Sequence, residues 1–221
     1  MSAETKLLLH ICCAPDATHP IAVLRPQFDV VPFFYNPNIH PSAEYRRRLA
    51  ELTKLAEAWG FTFTEGEYAG ADGGSDLPHT SGTLEDALKQ PPTNLSELDY
   101  CRTSWFAQVQ GLEREPEGGA RCVQCFRMRL GRSARLAADF DIPTFATVMT
   151  ISPHKNADVV NDVGREAAQE TGVSYMPSNF KKQDGFKKSL VFSRELGLYR
   201  QNFCGCIFSA PRQVESTSAS S

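Results

Sequence analysis

An α/β fold, with a mainly parallel sheet and helices on both of its faces, is the architecture this sequence predicts. Two observations carry it. Short strand-like runs alternate with helical patterns along most of the chain, and the first two of those runs are almost wholly apolar, as strands buried within a sheet are. At 221 residues and 41% hydrophobic content, the chain suits one sizeable domain that buries its core unaided.

Residues 7–11 form the first apolar run and end at Cys12-Cys13; residues 29–35 form the second, which Asn36-Pro37-Asn38 stops. Residues 20–25 between them allow a short helix. Residues 42–59 are the clearest helix, with Leu49, Leu52, Leu55, Ala56 and Trp59 on one face, Ser42 as N-cap and Gly60 as the stop. Residues 61–65 resume as a strand. Residues 66–92, rich in glycine, proline, serine and acids and without a sustained period, read as a loop insertion in a single domain spanning 1–211. Residues 95–112 and 122–140 have helical patterns, 144–149 is a β-prone run, and 156–171 is a helix that Gly172 closes. Residues 212–221, with four serines, read as a disordered tail. In open parallel sheets ligands sit beyond the carboxyl ends of the strands, so the loops at 12–16, 36–38 and 150–155 are expected to converge.

Composition narrows the function classes. The first six residues carry one acid and one base and lack the basic opening of a signal peptide, and no stretch approaches the roughly 18 to 20 apolar residues of a membrane span. A soluble, cytoplasmic protein with no membrane partner is the expectation. The net charge of −3 argues against indiscriminate nucleic-acid binding, yet charge is locally segregated. Residues 66–100 hold seven acids and one lysine, whereas residues 179–203 hold four lysines, two arginines and two acids.

A domain of this size in a reducing compartment needs no disulfide staples, so its seven cysteines ask for a chemical reason. Six fall in close pairs: Cys12-Cys13, Cys122-x-x-Cys125 and Cys204-Gly205-Cys206. A Cys-x-x-Cys at a helix start presents two thiolates on one side of the first turn, where the helix dipole favours their charge. With Cys12 and Cys13 it can complete a four-sulfur site, which serves zinc or an iron–sulfur cluster equally well. In Cys204-Gly205-Cys206 the glycine lets the sulfurs approach, which suits electron transfer through a strained, reducible pair; two further metal ligands are the alternative. Cys101 stands alone and reads as a packed or surface thiol.

The sequence resembles the cobalamin-independent epoxyqueuosine reductases. The likeness runs nearly end to end: Leu8-Leu9-His10-Ile11-Cys12-Cys13-Ala14-Pro15, Tyr35-Asn36-Pro37-Asn38-Ile39, Arg121-Cys122-x-x-Cys125-Phe126-x-Met128-Arg129-Leu130, Ile151-Ser152-Pro153-His154-Lys155-Asn156, and Tyr199-Arg200-Gln201-Asn202-Phe203-Cys204-Gly205-Cys206. The resemblance implies a fold like that of the adenine-nucleotide α-hydrolases, and a 4Fe-4S cluster on Cys12, Cys13, Cys122 and Cys125 without cobalamin. It also implies a redox-active pair at Cys204 and Cys206 and reduction of the epoxide of epoxyqueuosine in tRNA to queuosine, with electrons from a donor the sequence does not identify.

Reductive opening of an epoxide needs electrons, an acid or metal for the departing oxygen, and exclusion of water. Asp16 is a hard ligand suited to an additional iron ion or to proton delivery, with an N-cap role as the alternative. Tyr35 is a second candidate acid, and Lys155 is the basic residue expected nearest the reaction. For tRNA, Lys181, Lys182, Lys187, Lys188 and Arg200 interleave with Phe180, Phe186, Phe192 and Tyr199, the pattern that grips phosphates and stacks bases; Phe192 reads better as core. Arg46, Arg47 and Arg48 read as an exposed helix face. Two rival readings are a zinc-stapled tRNA-binding domain and an ATP-dependent tRNA-modifying protein. The latter needs a glycine-rich phosphate loop where this chain has Cys12-Cys13-Ala14-Pro15-Asp16.

Overall fold

The structure, a computed structural model, describes residues 5–66 and 105–209. Nearly all of the loop expected at 66–92, most of the helix expected at 95–112, Cys101 and the serine-rich tail lie outside the described residues. Five strands form one sheet: β1 (Lys6–Ile11), β2 (Asp29–Phe34), β3 (Thr64–Glu65), β4 (Thr144–Thr147) and β5 (Ser174–Tyr175), in the order β3-β2-β1-β4-β5. Every pairing is parallel. The chain steps outward from β1 to β3, then returns across β1 to β4 and β5, so the order reverses between β1 and β4. That reversal is where open sheets make a ligand crevice.

β1 is the central strand, and its Leu7, Leu8 and Leu9 are fully buried, which is why this run is apolar at every position rather than alternating. The helices are α1 (Ala14–Leu24), α2 (Ser42–Trp59), α3 (Trp105–Gln108), α4 (Ala120–Asp139), α5 (Ala157–Thr171) and α6 (Gly185–Glu195). On α2 the buried face is Leu52, Leu55 and Ala56, with Leu49 and Trp59 at its margin, and Gly60 at φ 63° closes the last turn. α5 is capped as read: Asn156 accepts from the Asp158 amide at 2.9 Å, and Gly172 ends it at φ 77°.

Other expectations need correction. Ser42 does not cap α2, because Pro41 holds the cap position. α1 is not confined to 20–25; it starts at Ala14, directly after the cysteine pair, with Pro15 in a first turn where its missing N–H costs nothing, and it runs on through Pro20. Asp16 therefore lies inside the first turn and does not cap the helix; Cys13 has the cap position. The strand at 61–65 contracts to Thr64–Glu65, and the run at 144–149 divides into β4 and a 3-10 turn, Val148–Ile151. The basic segment folds into α6, whose partly buried Phe192 meets Trp59 edge-on at a ring separation of 5.5 Å.

The three loops do converge. The Asn36 side-chain amide donates to the Ile11 carbonyl at 2.9 Å, tying the second loop to the first. Lys181 holds the third by donating to the carbonyls of Lys155 (2.6 Å) and Ser152 (3.4 Å).

Candidate functional site

Because α1 begins at once after β1, its first turn brings Asp16 back over the cysteine pair. The Cys12 and Cys13 sulfurs and an Asp16 carboxylate oxygen lie within 4.8 Å of one another, and all three residues are buried. The start of α4 presents Cys122 and Cys125, and the turn before a 3-10 segment, Ile207–Ser209, presents Cys204 and Cys206. These four line a chamber of about 50 Å³ together with Asn38, Trp105, Arg121, Arg129 and Lys155. The side chains thus gather as three and four, and the expected quartet of Cys12, Cys13, Cys122 and Cys125 would draw two sulfurs from each group. All six are free thiols.

The two groups differ in the ligand they suit. Sulfurs bound to one ion at about 2.3 Å each must lie within about 4 Å of one another. Cys12, Cys13 and Asp16 approach that spacing, and no other trio of such ligands among the described residues is as tight. A cluster spreads its thiolates over several irons, so the four-thiol chamber suits the larger group. Two buried donors that line this chamber, Trp105 Nε1 and Arg121 Nε, have no acceptor among the described residues. A sulfide-bearing group set among thiols would supply acceptors. Asn38 Oδ1 is also unpaired there, and a half-turn of that amide presents a donor instead.

Charge is arranged to ionise one thiol in two of the three pairs. The hydrogen bond from Cys13 brings Cys12 down to about 7, and Cys13, pushed up by burial and by giving that bond, stays protonated. Cys204 is likewise held well below the ordinary thiol range by its hydrogen bond from Cys206, while that bond and burial push Cys206 up. Burial raises Cys122, and raises Cys125 to about 11. Lys155 serves both groups: burial weakens its hold on the proton, but the negative charge of Cys12, Cys204 and Asp16 outweighs this and raises its pKa. Arg129 is a second shared cation, with Nη1 4.0 Å from the Cys125 sulfur and Nη2 donating to Asn36 at 2.6 Å.

Beneath them, His10 is neutral, its pKa held well below the usual value by burial and by Arg129. The Thr147 hydroxyl takes the Met149 N–H at 3.2 Å and donates to Nδ1 at 2.9 Å, which leaves Nε2–H to donate to the Tyr35 carbonyl at 3.0 Å. Arg129 Nε, 3.3 Å from that same Nε2, is then a charge contact and not a second hydrogen bond.

Arg48, Gln201, Arg129 and Trp105 are the residues the sequence reading missed. Arg48 is 2% exposed, not part of an open basic face: it bonds Glu44 at 2.6 Å and donates to the carbonyls of Phe203 and Cys204, both at 3.1 Å, gripping the Cys204 turn. The Glu44/Arg48 spacing of four on a helix was the available signal. Gln201 Nε2 reaches the Cys13 sulfur at 3.0 Å. Tyr35 stacks its ring on Phe33 and packs against the cluster that holds Trp105, Cys125 and Cys206, outside the residues that line the two cavities. Of the lysines read for tRNA, Lys182, Lys187 and Lys188 are exposed, with Lys187 paired to Asp184 at 2.8 Å, whereas Lys181 is occupied by the loop carbonyls.

Outside the chamber lies a second cavity of about 300 Å³, lined by Asp16, His154, Lys155, Phe186, Arg200, Gln201 and Cys204 among others. Lys155 and Cys204 border both spaces. A molecule in the outer cavity therefore meets Asp16 and Cys204, one residue of each group.

A doubly wound parallel sheet with six thiols, a carboxylate and two cations at the carboxyl edge of its strands defines a thiol-rich metal or redox protein of the α/β class. The model of the family described as epoxyqueuosine reductase QueH matches residues 7–72 and 79–212. The chain belongs to that family. A curated relative of that name from Streptococcus pyogenes serotype M1 is 35% identical over 212 residues, 96% of this chain and 73% of its own length. Those from Staphylococcus epidermidis and Thermotoga maritima are 34% and 32% identical, covering 94% and 92% of this chain and 77% and 89% of their own lengths. Among solved structures, the U34-tRNA thiolase NcsA from Methanococcus maripaludis with its 4Fe-4S cluster aligns with 91% of this chain and 60% of its own at 13% identity and a TM-score of 0.47, too remote to carry an argument.

Proposed function

We propose that this chain reduces the epoxide of epoxyqueuosine in tRNA, giving queuosine and water, and does so with iron and sulfur. Family membership supports the reaction, and the observation that carries the chemistry is that one lysine lines the four-thiol chamber and the outer cavity and feels the charge of Cys12 and Cys204, one from each sulfur group. The zinc-stapled and ATP-dependent alternatives have no support in the family match.

The donor sets favour a 4Fe-4S cluster on Cys122, Cys125, Cys204 and Cys206, and one additional iron ion at Cys12, Cys13 and Asp16. When bound, the cluster would supply electrons one at a time and the ion a Lewis acid for the departing oxygen. The reaction consumes two electrons and two protons, breaks both C–O bonds of the epoxide and forms the alkene. Lys155 sits where both groups meet and would set positive charge and a proton beside the leaving oxygen. Asp16 would orient that oxygen or pass the second proton. Arg129 and Lys155 offset the charge of the ionised thiolates, and the apolar chamber keeps water from the reduced centre. Exposed Lys182, Lys187 and Lys188 would hold the RNA backbone near the opening. No helix among the described residues is long and apolar enough to cross a membrane.

A second distribution keeps Cys12, Cys13, Cys122 and Cys125 on the cluster and uses Cys204 and Cys206 as a two-electron dithiol. One observation favours it: Cys206 acidifies Cys204 through a direct hydrogen bond, as the partner thiol of a redox pair does. The reaction itself is tested by giving reduced, iron-replete protein epoxyqueuosine-containing tRNA and analysing the nucleosides by mass. The modified nucleoside is expected to lose one oxygen; unchanged mass with intact iron content would refute the assignment.

A further inference from the structure

Phe186 and Arg200 both line the outer cavity, and their arrangement is specific. The Arg200 guanidinium carbon lies 5.4 Å from the Phe186 ring centroid, within the range of a cation resting over an aromatic face. Its Nη1 donates to Ser193 Oγ at 3.3 Å, and that buried hydroxyl is itself fixed by donating to the Ser189 carbonyl at 2.6 Å. Among the described residues no carboxylate pairs with Arg200, in contrast to Lys187, on the helix that carries Phe186. The guanidinium is therefore held by a ring and one hydroxyl, with its remaining donors and its charge unspent.

A planar cation supported in this way offers a flat surface to a base, and RNA-binding sites use arginine planes as well as rings for stacking. The cavity is about 300 Å³, at the small end of ligand pockets, which is room for one base and its substituent. Gln201, next in the chain, lines the same cavity; its Nε2 is engaged with Cys13 while its Oε1 has no partner among the described residues. Asp16, Lys155 and Cys204 line the same cavity. A base stacked on Arg200 would share that space with Lys155 and Cys204.

We infer that Arg200, supported by Phe186, is the stacking platform for the purine-like base of the substrate and acts through its plane, not as a phosphate contact. The inference rests on the tRNA reductase reading. It is tested by fluorescence anisotropy with a labelled anticodon stem-loop RNA carrying queuosine, titrated into anaerobically purified protein over a salt series. Arg200→Lys keeps the charge and loses the plane, so affinity is expected to fall about tenfold. Arg200→Gln is expected to leave the salt dependence unchanged. Phe186→Leu alters no charge and is expected to weaken binding by a similar factor. Wild-type affinity in Arg200→Lys or in Phe186→Leu overturns the proposal, as does a drop of about one in the salt slope of Arg200→Gln, the mark of a lost phosphate contact. If the wild-type protein fails to deoxygenate its tRNA, the reductase reading falls; if it succeeds and Arg200→Lys binds as tightly, this inference alone falls.

Discussion

Replacing Arg48 by methionine keeps most of the aliphatic stem and removes every donor. Glu44, wholly buried, then faces only the Tyr199 hydroxyl at 3.2 Å, and the carbonyls of Phe203 and Cys204 lose donors at 3.1 Å. Breaking a buried pair from one side costs about 3 to 5 kcal/mol, chiefly because a charge is stranded. Each orphaned carbonyl accounts for about 1 kcal/mol of that total. Adding Glu44→Gln removes the stranded charge and is expected to restore about 2 kcal/mol, so the double variant is more stable than the single one despite carrying one more substitution. Urea unfolding at pH 7.5, followed by circular dichroism under argon, measures all three proteins. A loss below about 1 kcal/mol for Arg48→Met, or a double variant no more stable than the single, would refute the claim that this pair is desolvated and serves to hold the Cys204 turn.

Gly205 is at φ +98°, and a Cβ there would lie 2.8 Å from Ile39 Cγ1, so Gly205→Ala is expected to cost at least about 1 to 3 kcal/mol and to lower iron retention by displacing the turn; melting and iron analysis check both. His40, held at about 4 by burial, is neutral in the folded protein and takes a proton near 6.5 once unfolded. Its contribution is complete above 6.5 and lost as pH falls toward 4, by about 1.4 kcal/mol per pH unit. Denaturant titrations of wild type and His40→Gln are expected to diverge in pH slope across that window. Trp105→Phe removes a donor from the chamber and keeps the ring; weaker hydrogen bonding to the sulfurs is expected to make the midpoint potential of the reconstituted protein more negative in a spectroelectrochemical titration.

Much of the fold was legible because it rests on local physics. The unbroken Leu7-Leu8-Leu9 run marks a strand covered on both faces, and Gly60 and Gly172 end their helices where a left-handed residue is needed. The convergence of the three loops followed from the parallel sheet alone. The start of α1 was not legible, because Pro15 and Pro20 look like helix breakers until Cys13 is seen to hold the cap position. The cysteine pairs named the site, but sequence adjacency does not tell which pairs share a space. That depends on where α4 and the Cys204 turn pack, and Arg48, distant in sequence, sets the second of these through two backbone carbonyls. Gln201 and Trp105 had no pattern to reveal them, since each matters through a single polar atom placed by tertiary packing.

Counting iron and acid-labile sulfide per chain in anaerobically purified Cys12→Ser beside wild type tests the proposed division of the sulfurs most directly. The wild type is expected to hold about five irons and about four sulfides, and the variant to lose about one iron while its sulfide is unchanged. Complete loss of sulfide in the variant would move Cys12 into the cluster, and wild-type protein with zinc and no sulfide would contradict the iron–sulfur account altogether.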